Sequence, residues 1–122
     1  MVPQQMVARG VGQLTAHDLA ELKLRLHEDR RFRRDQLLDL FGQRNTSELQ
    51  ESCTAARVEV QAHLAAGALK VLNEVEAALV RMHTGEYGRC ERCAARIDLP
   101  RLRVVPHARY CAHCHRAEEL GL

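Results

Sequence analysis

The spacing of leucines predicts a long helix near the start of the chain. Leucines recur mostly three, four or seven residues apart, at Leu19, Leu22, Leu26, Leu37 and Leu40. This spacing places side chains along one face of a helix. Thr15 stands just before the stripe, and Asp18 follows three residues later, as in a capping box. We therefore predict an amphipathic helix of about 25 residues from Thr15, preceded by a flexible tail over residues 1–14.

A second apolar repeat predicts a second helix that runs back along the first. The segment GQRNTS, residues 42–47, interrupts the pattern, and Ser47 with Gln50 resembles another capping box. The apolar seam that follows lies at Val58, Ala65, Leu72 and Leu79, with neighbouring positions at Ala62, Leu69, Val75 and Met82. We predict a helix of about 38 residues and an antiparallel coiled-coil hairpin over residues 15–84. The pattern alone fits a simple spacer or dimer interface as well as it fits a rod with a function of its own.

Composition and charge narrow the class of protein. Only 3% of the 122 residues are aromatic, and there is no Trp, which is typical of a mostly α protein. The 18 basic and 16 acidic side chains give a net charge of +2, too small to draw the whole molecule onto nucleic acid. The basic cluster at residues 27–34 could meet phosphate or an acidic protein groove, but Glu28, Asp29 and Asp35 lie among and beside its arginines, so we interpret it as a solvated helix face. Without a secretory leader or an apolar run of membrane-spanning length, we expect a cytoplasmic protein with no membrane association.

Four cysteines predict a zinc site near the carboxyl end. Two C-x-x-C pairs, Cys90 with Cys93 and Cys111 with Cys114, are separated by 17 residues. This is the spacing of a four-cysteine site that holds one structural Zn²⁺. Disulfides or a C-x-x-C redox centre are the competing interpretation. The nearby histidines, which we assign to the surroundings of the site, are His107, His113 and His115.

We therefore predict that residues 85–122 form a small zinc finger with a short C-terminal helix. Four thiolates complete a tetrahedral zinc sphere and leave no position for an activated water, so such a site is structural. No phosphate-binding loop, nucleophile elbow or H-E-x-x-H motif occurs in the sequence. We do not expect an enzyme.

The finger resembles the zinc-finger signature of the DksA/TraR family of bacterial transcription regulators. The resemblance lies in GEYGRCERC and CAHC, and in the residues between them: Ile97, Arg101, Leu102, Pro106 and Ala108. It implies a protein that binds RNA polymerase rather than DNA. In that family the finger and the base of the rod dock at the rim of the secondary channel, and the tip points towards the catalytic centre. Members modulate promoter open complexes, often together with the alarmone ppGpp.

The sequence departs from that family at the tip of the hairpin. Members carry a D-x-x-D-x-A motif there, whereas FGQRNTSELQESCTAA contains no Asp and only two carboxylates. The candidate tip contacts are Thr46, Ser47, Glu48 and Glu51. In the finger, Ala94 and Arg96 replace a usual Gly and a common Pro. We identify no residues for ppGpp.

The resulting hypothesis is a regulator that binds RNA polymerase at the secondary channel and modulates initiation without sequence-specific DNA binding. Two alternatives stay open at this point. One is a nucleic-acid-binding zinc module that uses the finger arginines, and the other is a coiled-coil adaptor that dimerises through its rod.

Overall fold

Two long helices and two short ones make up the fold. The structure is a computed structural model, which describes residues 14–49 and 55–121, without the side chains of residues 43–49. The helices are α1 (Ala16–Leu49), α2 (Ala55–Thr84), α3 (Leu99–Val104) and α4 (Ala112–Glu119). Apart from one isolated bridge between Arg89 and Arg96, the described residues form no β-structure. The predicted fold class is confirmed: a helical hairpin, a four-cysteine finger and a short C-terminal helix.

The first helix begins where the capping pattern predicted. The Thr15 backbone N–H donates to the Asp18 carboxylate over 3.1 Å, and the Asp18 N–H donates to the Thr15 hydroxyl over 3.0 Å. These reciprocal bonds satisfy backbone N–H groups that have no partner within the helix. They also lower the pKa of Asp18. The capping box is therefore present.

The predicted break between the long helices is wrong in position. Helix α1 continues through Gly42 and Ser47 to Leu49, and α2 begins at Ala55 and has 30 residues rather than about 38. A glycine inside a helix costs only about 1 kcal/mol relative to Ala. Among the described residues, nothing lies within 4 Å of where a Cβ on Gly42 would stand, so none of them packs closely enough to require a Gly there. The connection falls in residues 50–54, which lie outside the described residues, as do residues 1–13 of the predicted tail.

The seam between the long helices is partly as predicted. On α2, Leu72 and Val75 are buried as expected, whereas Val58 and Leu69 are 39% and 49% exposed. The remaining buried positions of α2 are Gln61, Ala68 and Ala78. Gln61 and Ala68 each precede a predicted seam residue by one position, so the apolar pattern placed this part of the seam one residue too late. A polar residue and a small one occupy the true positions, and neither stands out as a core residue by hydrophobicity.

Polar pairs occupy the middle of the seam, where apolar residues of α1 are missing. Leu22, Leu26 and Leu40 of α1 are buried. Between them, Arg30 is half-buried and its Nε donates to the Glu76 carboxylate of α2 over 3.2 Å. Arg34 reaches the same carboxylate at 3.3 Å. Leu22 and Leu26 thus join the two helices near the base of the rod, ion pairs join them in the middle, and Leu40 is buried further along.

The finger and the base of the rod share one hydrophobic core. Leu22 and Leu26 of α1 and Val75 and Ala78 of α2 lie in the same buried cluster as six residues of the finger. The finger residues in that cluster are Tyr87, Cys90, Ile97, Leu102, Ala108 and Cys114. A core shared in this way makes independent movement of the two parts costly, since it would expose apolar surface to water.

Hydrogen bonds reinforce the same joint. The Arg25 guanidinium donates to the Arg103 carbonyl over 2.7 Å, across from α1 to the finger. From α2, Arg81 donates to the Ala108 carbonyl over 3.4 Å and lies 3.6 Å from the Glu91 carboxylate. The joint is therefore held by directional contacts from both long helices.

Within the described ranges, no helix is both long and apolar enough to cross a membrane.

Candidate metal centre

The first cysteine pair lies in a tight turn. The Cys90 N–H donates to the Ala95 carbonyl over 2.7 Å, and the Ala94 N–H donates back to the Cys90 carbonyl over 2.9 Å. Gly88 and Ala94 have positive φ angles of 84° and 65°. A residue with a Cβ carries a steric cost in this region, so Ala94 is strained in a position that suits Gly. The turn places the sulfurs of Cys90 and Cys93 on the same side.

The second cysteine pair is built on a helix start. Cys111 is the N-cap of α4, and its sulfur accepts a hydrogen bond from the Cys114 N–H over 3.5 Å. The first turn of the helix carries Cys114 back towards Cys111, since residues three apart lie on the same face. This hydrogen bond sets the direction of the Cys111 sulfur in the folded finger.

Helix α3, which the sequence analysis did not predict, connects the two pairs. It follows Asp98 in an N-cap position, with Pro100 in its first turn, and Leu102 is fully buried. A polar cap residue followed by Pro is a recognised sign of a helix start. The sequence Asp98, Leu99, Pro100 carried this sign of a helix start. A six-residue helix is too short to show an apolar repeat, so no further pattern supported it.

The four sulfurs converge on one point. All four ligand atoms lie within 4.8 Å of one another, and the Sγ atoms of Cys93 and Cys111 are 3.9 Å apart. Tetrahedral zinc with Zn–S bonds of about 2.3 Å requires sulfurs about 3.8 Å apart. The cluster is therefore consistent with one structural zinc ion. Four sulfurs fill the coordination sphere, which leaves no open position for a reacting water.

The surroundings of the sulfurs differ across the site. Burial opposes ionisation of the Cys90 thiol, but N–H groups of Cys111, Cys93 and Arg92 around its sulfur outweigh burial and lower its pKa to about 6. For Cys114, burial and hydrogen bonds from the other thiols raise the pKa to about 12. Zinc takes cysteine as the thiolate, so its binding releases protons, mostly from the thiols of higher pKa. We therefore expect zinc affinity to rise with pH.

The three nearby histidines lie outside the sulfur cluster. The Nε2 of His107 is 3.6 Å from the Glu74 carboxylate of α2, and burial lowers the pKa of His107. His115 lies 2.7 Å from the Glu119 carboxylate on α4. His113 is exposed. Their predicted place around the site rather than in it agrees with the geometry.

The candidate tip residues lie at the edge of the described part of the chain or outside it. Thr46, Ser47 and Glu48 belong to the last turns of α1, but their side chains are outside the described part of the chain. Glu51 lies entirely outside the described residues. The prediction that these four residues meet a partner therefore stays a prediction.

Comparisons with known proteins agree on the finger and on the fold. Residues 85–120 match the family described as the prokaryotic dksA/traR C4-type zinc finger. Among solved structures, the chain is similar to the transcription factor DksA2 from Pseudomonas aeruginosa. The TM-score is 0.74 and the identity 26%, and the match covers 85% of this chain and 84% of DksA2.

A curated relative is similar over part of the chain. An uncharacterized protein from Aquifex aeolicus (strain VF5) is 46% identical over 52 residues, which are 43% of this chain. The matched part spans about a third, 34%, of that relative. The resemblance to the DksA/TraR family is thus confirmed, on the finger by the family match and on the hairpin by the fold.

Proposed function

We propose that this chain, which carries a dksA/traR-type finger on a DksA2-like hairpin, is a transcription regulator that binds RNA polymerase at its secondary channel. The observation that carries the proposal is the shared core of rod and finger. A finger fixed in this way provides a base from which the hairpin projects in one direction. From Leu26 to Leu49, helix α1 extends about 35 Å beyond that core, at 1.5 Å per residue.

The proposed roles follow from this division. The finger, with Cys90, Cys93, Cys111 and Cys114 as ligands of one structural zinc, docks on the outer surface of the polymerase. The rod enters the channel and modulates initiation, and the protein performs no chemistry itself. This function places it in the cytoplasm, where transcription occurs.

At the tip, we propose that Glu48 and Glu51 approach the catalytic centre, with Thr46 and Ser47 as neighbouring contacts. The tip lacks the aspartates of the family motif. A glutamate has one more methylene than an aspartate and therefore a longer, more mobile carboxylate. We expect the effect on transcription to differ from that of regulators with an Asp tip. No residue has been assigned to ppGpp, so its influence is best measured by adding it to the same assay.

A binding experiment tests the partner. Zinc-loaded protein is mixed with core RNA polymerase from its own source, without DNA, and complex formation is measured by sizing chromatography. Co-migration is expected. A duplex DNA sample serves as the alternative partner, and light scattering on the protein alone tests the adaptor. Binding to DNA but not to polymerase, or a mass that doubles with concentration in the absence of polymerase binding, would contradict the proposal.

A second experiment separates the rod from the tip. The double variant Glu48→Ala/Glu51→Ala is expected to keep its affinity for polymerase and to change the lifetime of promoter complexes. The matched control is Glu59→Ala, which removes an exposed carboxylate further from the hairpin end, on α2. If the double variant affects neither affinity nor lifetime, the two tip glutamates have no part in the mechanism.

A further inference from the structure

The finger exposes two arginines that stand directly opposite each other. Arg89 and Arg96 form the isolated antiparallel bridge beside the first cysteine pair, and both are exposed. Side chains of directly opposite residues project on the same side, with Cβ atoms about 5 Å apart. Like charges in that arrangement repel each other. The fold therefore holds two positive charges together on the outside of the finger.

The other arginines of the finger are accounted for by contacts or by position. Four of them have polar partners: Arg92 pairs with Glu118, Arg109 with Glu91, and Arg103 with Asp18, while Arg101 donates to the Tyr110 carbonyl. Arg116 stands in the last turn of α4, where a positive charge interacts favourably with the helix dipole. Among the described residues, no carboxylate pairs with Arg89 or Arg96.

The net negative charge of a four-thiolate zinc centre offers a different explanation for the two arginines. Four thiolates outweigh one Zn²⁺ by two negative charges. Because both arginine side chains are exposed, their guanidinium groups stay accessible to another molecule.

We propose that Arg89 and Arg96 form a docking point for neighbouring carboxylates on an acidic segment of the protein partner. Each guanidinium presents a planar fork of N–H donors that matches a carboxylate in two parallel hydrogen bonds. An acidic segment that meets both forks relieves the repulsion between them. This docking point rests on the proposed function, because the partner that would carry the acidic segment is RNA polymerase.

Charge and number favour carboxylates over nucleic acid. Proteins held on DNA by phosphate contacts make about 6–10 of them, whereas this site offers two. Three other arginines of the finger already pair with acidic side chains, so they add little free positive charge for a phosphate backbone. Two arginine forks are enough for a local carboxylate contact, since the rest of the rod and finger supplies further docking surface.

A peptide titration tests the site without polymerase. The full-length, zinc-loaded protein is titrated with a short polyglutamate peptide, and in parallel with duplex DNA, while the guanidinium NMR signals are followed. The peptide is expected to shift the signals of Arg89 and Arg96 more than that of Arg116, with loss of the shifts at high salt. Equal shifts at all three arginines, no shift, or a response to DNA at lower concentration than to peptide would overturn the proposal.

A binding series then tests the site in the complex. Arg89→Glu/Arg96→Glu is expected to weaken polymerase binding about tenfold or more, and Arg89→Lys/Arg96→Lys less, because lysine keeps the charge but not the fork. Arg116→Glu, the matched control, is expected to bind normally. Zinc affinity, measured by chelator competition, should be unchanged in all variants.

The outcomes separate this inference from the proposed function. Normal polymerase binding by the Arg89→Glu/Arg96→Glu variant would overturn the docking point while leaving the proposed function intact. Reduced zinc affinity with normal polymerase binding would also overturn it, because the arginines would then serve the metal centre. Failure of the unmodified protein to bind polymerase would contradict the proposed function, and the peptide titration would still decide the chemistry of the site.

Discussion

Replacing Ala94 with Gly should strengthen zinc binding, although it removes a side chain. Ala94 has a φ of 65° in the turn after the first cysteine pair. A residue with a Cβ costs about 1–2 kcal/mol in that region. Glycine relieves this strain but gives the unfolded chain more freedom, which costs about 0.4–1 kcal/mol. The difference favours Ala94→Gly by about 0.8 kcal/mol, or about fourfold in an equilibrium constant.

Zinc affinity is the natural assay, because the finger's folding free energy and its metal-binding free energy are coupled. Competition with a chromophoric chelator gives the apparent zinc dissociation constant for the protein and its variants. The matched control is Ala95→Gly, at a neighbouring exposed alanine without a positive φ. We expect Ala94→Gly to bind zinc about fourfold more tightly and Ala95→Gly to bind it more weakly. If both substitutions weaken zinc binding equally, Ala94 carries no strain and the reasoning fails.

Three further predictions concern the joint and the metal. Leu102→Ala should lower the free energy of unfolding by about 3 kcal/mol, because the Leu102 side chain is 0% exposed. The control Val104→Ala, at a side chain that is 76% exposed, should change the free energy of unfolding by less than about 0.5 kcal/mol. If both variants shifted the thermal unfolding midpoint equally, the shared core would be contradicted. Tyr87 donates to the Pro106 carbonyl over 2.7 Å, so Tyr87→Phe should cost about 1 kcal/mol at neutral pH. Burial raises the pKa of Tyr87 from 10.0 to about 12. The Tyr87 hydroxyl therefore contributes its full stability below pH 10, and this contribution is lost as the pH rises towards 12. Denaturant titrations at increasing pH should show this loss in the unmodified protein and not in Tyr87→Phe. Chelating zinc under reducing conditions should abolish hydrogen-exchange protection in the finger, while the rod far from the joint stays helical. Protection that persists around Cys90 would rule out a folding role for the metal.

The parts of the fold that local chemistry determines were predictable from the sequence. Cysteine spacing predicted the cluster because each pair is held by a short turn, and closing four sulfurs around one metal leaves few arrangements. The start of α1 at Thr15 followed from two side-chain to backbone hydrogen bonds within four residues. Neither result depends on contacts between distant parts of the chain.

The parts that depend on tertiary packing were predicted less well. Gly42 and Asn45 suggested a turn, but the helix continues because glycine and asparagine only weaken a helix that packs against another. Ala68 lies in the seam instead of Leu69 because the closeness of α1 and α2 decides which side chain fits, and hydrophobicity alone does not report this. The core shared between rod and finger had no local signal, since its members are far apart in sequence.

The central claim is that the rod enters the secondary channel of RNA polymerase. The most direct test is to cleave the bound protein with hydroxyl radicals that are produced at the polymerase active centre. Fe²⁺ replaces the catalytic Mg²⁺ of core RNA polymerase, hydroxyl radicals are generated there, and the fragments of the bound, end-labelled protein are sized. The account predicts cleavage confined to the hairpin end, between α1 and α2, and its loss when the rod is displaced by excess unlabelled protein. Cleavage in the finger, or none from a protein that remains bound, would contradict it.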